Sequence, residues 1–211
     1  MKQHILHVES LRKDFNRRTV FSDISFEIRS GQSIAITGKN GSGKSTLAKI
    51  LSGVLSPTSG KVLLECGGSE IPARERHEHI GFVSPYLQLY DEFSALENLR
   101  LCASLRGIQY EDFQGDALLD LVDLSSRKND PVRIYSSGMK QRLKYAFALL
   151  HRPYILILDE PTANLDSEGI EMATMFMKTQ CDQGILIIAT NDKDDLRHVD
   201  TAISVEKGRG R

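Results

Sequence analysis

Two stretches of this 211-residue chain hold residue types whose spacing suits phosphate chemistry. The first is Gly38-Lys39-Asn40-Gly41-Ser42-Gly43-Lys44-Ser45-Thr46. Its glycines let the backbone turn N–H groups toward an anion, and a helix opening directly after it aims the positive end of its dipole at the same point. In that geometry Lys44 reaches the outer phosphates of a nucleotide and the Ser45 hydroxyl holds Mg²⁺. The second stretch is Asp159-Glu160, at the end of the apolar run 154–158. One of these carboxylates can accept a magnesium-bound water while the other orients and deprotonates a water attacking a terminal phosphate in line.

Both motifs need elements to hold them. Residues 33–37 form a short apolar run with β-branched residues, and 47–51 carry apolar spacing suited to a helix, so the first motif reads strand, glycine turn, helix. The run 154–158 reads as a strand buried on both faces of a parallel sheet, which puts Asp159 and Glu160 at the carboxyl edge, where α/β sheets bind ligands. Residues 185–189 repeat the pattern and exit through Thr190-Asn191-Asp192.

Around the phosphate loop, residues 5–8, the near-alternating Phe21, Ile24, Phe26 and Ile28, and residues 61–65 predict a mostly antiparallel β lobe, with a further strand at 79–83. Ser94-Ala95-Leu96-Glu97 is a capping box that starts a helix, and Gly107 stops it. From there to His151 the pattern is helical, and Lys140, Arg142 and Lys144 are expected on a solvated face. A helix at 172–176, a strand at 202–205 and a loose end over 206–211 complete the chain. The expected organisation is one domain over 1–211, with 1–90 and 152–211 as a β-rich core and 91–151 as an inserted helical lobe. The fold class is α/β: a mixed, largely parallel sheet, an antiparallel β subdomain and the helical subdomain.

With 40% hydrophobic and 26% charged residues the composition is that of a globular domain, and a net charge of −1 offers no global attraction for nucleic acid or anionic lipid. The longest apolar runs fall well short of the about 20 residues that span a bilayer, and residues 1–20 lack a signal-peptide core, so a cytosolic chain is expected. Cys66, Cys102 and Cys181 are widely spaced without a Cys-x-x-Cys pair and read as small buried hydrophobes. His77 and His79 have no third ligand at suitable spacing, so no separate metal site is expected there. Phe15 is either core or a face on which a planar base stacks, with core favoured by position alone.

The order of motifs resembles the nucleotide-binding subunit of ABC transporters, a P-loop NTPase. Gly38 to Thr46 resembles the Walker A loop, Tyr135-Ser136-Ser137-Gly138-Met139 the signature, and residues 155–160 Walker B. Ala163-Asn164-Leu165-Asp166 resembles the D-loop, and Thr190-Asn191-Asp192 sits where the switch loop belongs. The resemblance implies an ATP- and Mg²⁺-dependent ATPase that forms a head-to-tail dimer with a second copy or another ATPase subunit, each site closed by the opposite signature. Ser136, Ser137 and Gly138 then receive a γ-phosphate at a helix start. Phe15 falls on the adenine-stacking position, which reverses the preference for core.

Further implications are an integral membrane permease docking around residues 86–93, with Tyr86, Tyr90 and Phe93 at the contact, and a place on the inner face of the cell membrane. Nucleic acid is not an expected partner, since the long coiled-coil insertion of DNA-repair relatives is missing. Several positions depart from the family pattern. Pro85 replaces the glutamine that ligates Mg²⁺, leaving Gln88 as a nearby substitute; Ser137 and Met139 replace a glycine and a glutamine; and Asn191 replaces the switch histidine. That combination is similar to the small haem-exporter-like ATPases of cytochrome c maturation. Two other readings stand beside a transport ATPase: a soluble ATPase of an assembly pathway, and a weakly hydrolysing ATP-dependent dimerisation switch.

Overall fold

A computed structural model describes residues 3–16 and 18–205; the loose end expected over 206–211 lies outside the described residues. Two sheets face each other. The first is antiparallel, in the order β2-β1-β4-β5, built from β1 (His4–Phe15), β2 (Arg18–Arg29), β4 (Ser59–Cys66) and β5 (Ser69–Ile71). The second runs β6-β7-β8-β3-β9, from β3 (Gln32–Thr37), β6 (Ile80–Val83), β7 (Ile155–Asp159), β8 (Ile185–Ala189) and β9 (Thr201–Ser204). All four pairings of this second sheet are parallel, so it is not mixed; the antiparallel strands expected around the loop all belong to the first sheet.

The apolar runs of β7 and β8 serve two cores at once, because successive side chains of a strand point to opposite faces. Ile155, Ile157, Ile185 and Ile187 join the antiparallel sheet and helix α1 (Lys44–Leu51) in one core. Leu156, Leu158, Leu186 and Ile188 join the other, packed by α2 (Ala95–Leu105), α3 (Asp112–Leu121), α4 (Ser137–Leu149) and α5 (Ser167–Gln183). All eight are fully buried, each stabilising the fold by about 1.5–3 kcal/mol relative to exposure. That double burial fixes where Asp159 and Ala189 stand: they are register partners at the carboxyl edge.

α2 starts at the expected capping box, with Ser94 accepting from Glu97 N and Glu97 accepting from Ser94 N, and the chain leaves it through Gly107 at φ +67°. The stretch from Gly107 to His151 is not continuously helical, however. Between α3 and α4 it runs through short 3₁₀ turns at Ser125–Arg127 and Val132–Ile134. The charged face expected on α4 is also overturned for two of its three members. Arg142 and Lys144 are buried, Arg142 between Asp166 at 2.7 Å and Asp123 at 2.9 Å, and Lys144 donating to Pro85 O at 2.8 Å; Lys140 lies further out, paired with Asp91 at 2.8 Å. Long basic side chains can bury their stems when an acceptor waits for the charged tip. The three cysteines are half-buried rather than fully so.

Candidate functional site

The phosphate loop follows β3 and opens α1. Gly38 (φ +141°) and Gly43 (φ +114°) occupy backbone regions that side chains rarely adopt, and both are tightly enclosed. A Cβ on Gly38 would lie 2.5 Å from Val205 O, and one on Gly43 would lie 2.5 Å from Val20 Cγ1. Gly43 is also the N-cap of α1, with no side chain capping the helix, so the first N–H groups of α1 face outward as donors. Lys44 is buried and its ammonium donates to Gly38 O at 2.9 Å, which folds it across the loop. An ammonium has three donors, so this bond does not exhaust it.

β7 delivers the acidic pair to the same place. Ser45 Oγ donates to Asp159 Oδ1 at 2.9 Å, although the two residues are 114 positions apart. The other oxygen, Asp159 Oδ2, is buried with no hydrogen-bond partner, as is the Ser42 hydroxyl. Burial pushes the Asp159 pKa above the usual carboxylate value, with the Glu160 charge adding to the rise and the Ser45 hydroxyl, Lys49 and Lys44 opposing it. A bare carboxylate oxygen beside a serine oxygen is an all-oxygen donor set, which fits a hard cation such as Mg²⁺. The chain then turns sharply. Glu160 sits at φ +53°, its N–H donates to Ala189 O at 2.9 Å, and its side chain is exposed. A left-handed residue of this type is uncommon, and here it turns the carboxylate onto the wall of the cleft.

That cleft holds about 580 Å³ and is lined by Phe15, Arg18, Asn40, Gly41, Lys44, Ser45, Tyr86 and Glu160 among others. Phe15 is not core: it is 48% exposed at the tip of β1, with Lys13 Nζ 4.8 Å from its ring centre. A larger groove of about 720 Å³ lies between α3, the end of α4 and α5, but its walls are mostly apolar, such as Phe113, Leu121 and Met175. Of these two, the smaller cleft is the one that combines the phosphate-loop glycines, Lys44 and Ser45 with a carboxylate, Glu160.

Asn191 is outside the lining but adjoins it, donating through Nδ2 to Asn40 Oδ1 at 2.5 Å. Ser136, Ser137 and Gly138 do not line the cleft. Ser136 caps α4 by accepting from Met139 N, Ser137 is exposed, and Gly138 lies close to Asn164 O, 3.1 Å from where its Cβ would be. Gln88 does not join the cation pair either. Residues 85–90 alternate half-buried and exposed, and of the exposed set Tyr86 lines the cleft whereas Gln88 and Tyr90 do not. Tyr90 and Phe93 stack at 5.5 Å, and Lys49 Nζ sits 4.3 Å from the Tyr86 ring centre.

Sequence reasoning missed the group that ties these loops together. Asp195 is buried and accepts from Thr162 Oγ1 at 3.1 Å and Thr190 Oγ1 at 2.6 Å. Nothing in its spacing from Thr162 marks it; a polar run such as 191–195 reads as exposed loop.

The ABC transporter family profile matches residues 21–163. The lantibiotic transport ATP-binding protein SrtF of Streptococcus pyogenes is 34% identical over 187 residues, covering 89% of this chain and 80% of that protein. The lipoprotein-releasing system ATP-binding protein LolD 1 of Chlorobium chlorochromatii is 35% identical, covering 92% and 85%. A solved ATP-binding subunit of an ABC transporter superposes with a TM-score of 0.82 at 27% identity over 96% of this chain and 86% of that one. The fold is shared also with the ATP-binding cassette MJ0796, solved as a dimer with ADP and Pi (TM-score 0.83, 24% identity, 95% and 94% covered). Motif order, cleft geometry and these likenesses agree: the chain belongs to the ABC transporter family, as one of its ATP-binding, ATP-hydrolysing subunits.

Proposed function

We propose that this chain hydrolyses ATP in the 580 Å³ cleft to drive a separate transmembrane partner. The observation that carries the reading is the Ser45–Asp159 hydrogen bond beside a bare carboxylate oxygen, which joins the phosphate loop to the acidic strand end. Phe15 stacks the base. Residues 38–46 (Gly38, Lys39, Asn40, Gly41, Ser42, Gly43, Lys44, Ser45, Thr46) cradle the phosphates with backbone N–H groups, and the Lys44 ammonium takes the outer ones. Ser45 and Asp159 would hold Mg²⁺, which when bound would neutralise charge on the phosphate oxygens. Glu160 takes the proton from the attacking water. Asn191, swinging from Asn40, gives one neutral hydrogen bond to the γ-phosphate and that water.

Ser136 and Ser137, exposed at the start of α4, and the half-buried Gly138, all outside this chain's own cleft, serve the nucleotide of a second ATPase subunit, either a copy of this chain or a relative. The aromatic face of Tyr86, Tyr90 and Phe93 docks the permease, because exposed aromatics beside polar residues favour interfaces. Among the described residues no helix is long and apolar enough to cross a membrane, which supports a peripheral seat on the membrane's inner face through that contact. In the same reading the chain divides into a core of 1–90 and 152–211 and a lobe of 91–151 that carries α2, α3 and α4.

Light scattering on Glu160→Gln tests the dimer. ATP and Mg²⁺ together are expected to shift the variant to a dimer, and monomer alone at high protein concentration would refute the shared site. A second reading, a dimerisation switch that barely hydrolyses, draws on the Asn191–Asn40 bond, which engages the Nδ2 of the switch amide within the chain. A steady-state ATPase assay separates the two.

A further inference from the structure

Asp195 opens the short 3₁₀ turn Asp195–His198 beyond β8 and is 3% exposed. A buried carboxylate is costly unless hydrogen bonds replace its water, so its partners decide its place. Oδ2 accepts from Thr190, the residue just before Asn191, and Oδ1 accepts from Thr162, two residues after Glu160. Thr190 Oγ1 in turn accepts the N–H of Asp192 at 2.9 Å, so the hydroxyl is oriented as well as held. The nearby Arg197 pairs with Asp194 instead. Burial raises the Asp195 pKa while the Thr190 and Thr162 hydroxyls lower it. The group is therefore held in place by hydrogen-bond geometry.

The loop after β7 is gripped from its other side by α4. Tyr145, fully buried, donates its hydroxyl to Pro161 O at 2.9 Å, and Arg142 pairs with Asp166 at 2.7 Å. A contiguous path of packed and hydrogen-bonded groups thus runs from α4 through residues 161–166 to Asp195 and on to Thr190.

We propose that Asp195 is a positioning residue for ATP hydrolysis: by holding Thr162 and Thr190 on its two oxygens, it keeps the Glu160 carboxylate and the Asn191 amide in one register over the phosphate loop. The inference rests on the roles proposed above for Glu160 and Asn191. It differs from a simple structural tie, which would stabilise the fold without regard to turnover.

Thr162→Val and Thr190→Val each remove one hydroxyl and keep a β-branched side chain. Each is expected to lower kcat about ten- to a hundredfold, as small misplacements of reacting groups do. ATP affinity by calorimetry is expected to stay within about twofold. Thr→Ser at either position restores most of the rate. The double valine variant is no slower than the slower single, because both break the same clamp. Asp195→Asn, which turns one acceptor into a donor, loses rate to a similar degree. Valine variants that turn over at the wild-type rate, ATP affinity falling in step with kcat, or serine variants that fail to recover would each overturn the inference while leaving the ATPase reading intact. A wild-type chain without ATPase activity would overturn both.

Discussion

β3 and β8 are neighbours in the parallel sheet, and the loops that leave their carboxyl ends are built in opposite ways. The loop after β3 is held by backbone: glycines at positive φ, and Lys44 reaching back to a main-chain carbonyl. The loop after β8 is held by side chains, with Thr190 and Asp192 gathered around a carboxylate that also takes Thr162 from the loop after β7. A backbone-built loop tolerates few sequences, and its motif is correspondingly specific. A loop built from side chains admits many combinations of short polar residues, and no one of them announces itself.

The comparison can be broken first at Glu160, whose left-handed backbone aims it regardless of what its side chain can do. Glu160→Gln keeps the shape and loses the base, so hydrolysis is expected to slow by at least about a hundredfold in a steady-state assay while ATP still binds. Weakened binding in step with the rate would mean the residue holds nucleotide rather than moving a proton.

At the side-chain-built loop the effects are smaller. Asn191→Ala is expected to lower single-turnover hydrolysis roughly tenfold, and Asn191→His to raise it by a similar factor, about 1.4 kcal/mol, because a charge-assisted hydrogen bond is stronger than a neutral one. Wild-type rates for Asn191→Ala would show that this amide has no part in the reaction.

Tyr145→Phe sharpens the contrast from the helical side. It strands the buried Pro161 carbonyl, so a loss of about 1–1.5 kcal/mol is expected in urea unfolding, and an unchanged midpoint would show the bond contributes nothing.

The remaining effect lies far from both loops. Burial, with help from the neighbouring Arg106, holds the His151 pKa down to about 4, against about 6.5 in the unfolded chain. The unfolded state takes up the proton first, so this contribution is complete above about pH 6.5 and is lost as pH falls toward 4. Thermal midpoints for His151→Gln should therefore fall less steeply than wild type between about pH 7 and 5; parallel slopes would count against it.

The same division explains what could be read in advance. The glycine loop, the two buried strand runs, the Asp159-Glu160 pair and the Ser94 capping box all stand where their residue types pointed, since each follows from a local rule. Arg142 and Lys144 were misread because spacing on a helix tells which residues share a face and says nothing of what waits opposite it. Asp166 and the Pro85 carbonyl are the acceptors that let those cations go inside. Asp195 stayed hidden for a related reason: its meaning depends on a threonine 33 positions away that only the packing of β7 beside β8 brings near. Phe15 shows the limit of position alone, which favours core, whereas the family resemblance favours a base-stacking face and the ring is in fact exposed.

The cleft's identity as the ATP site is tested most directly by calorimetric titration of Lys44→Ala with ATP and Mg²⁺. Removing the buried ammonium proposed to take the outer phosphates is expected to abolish measurable binding where the wild-type chain gives a full isotherm. Wild-type affinity in that variant would contradict the assignment of residues 38–46 as the phosphate cradle.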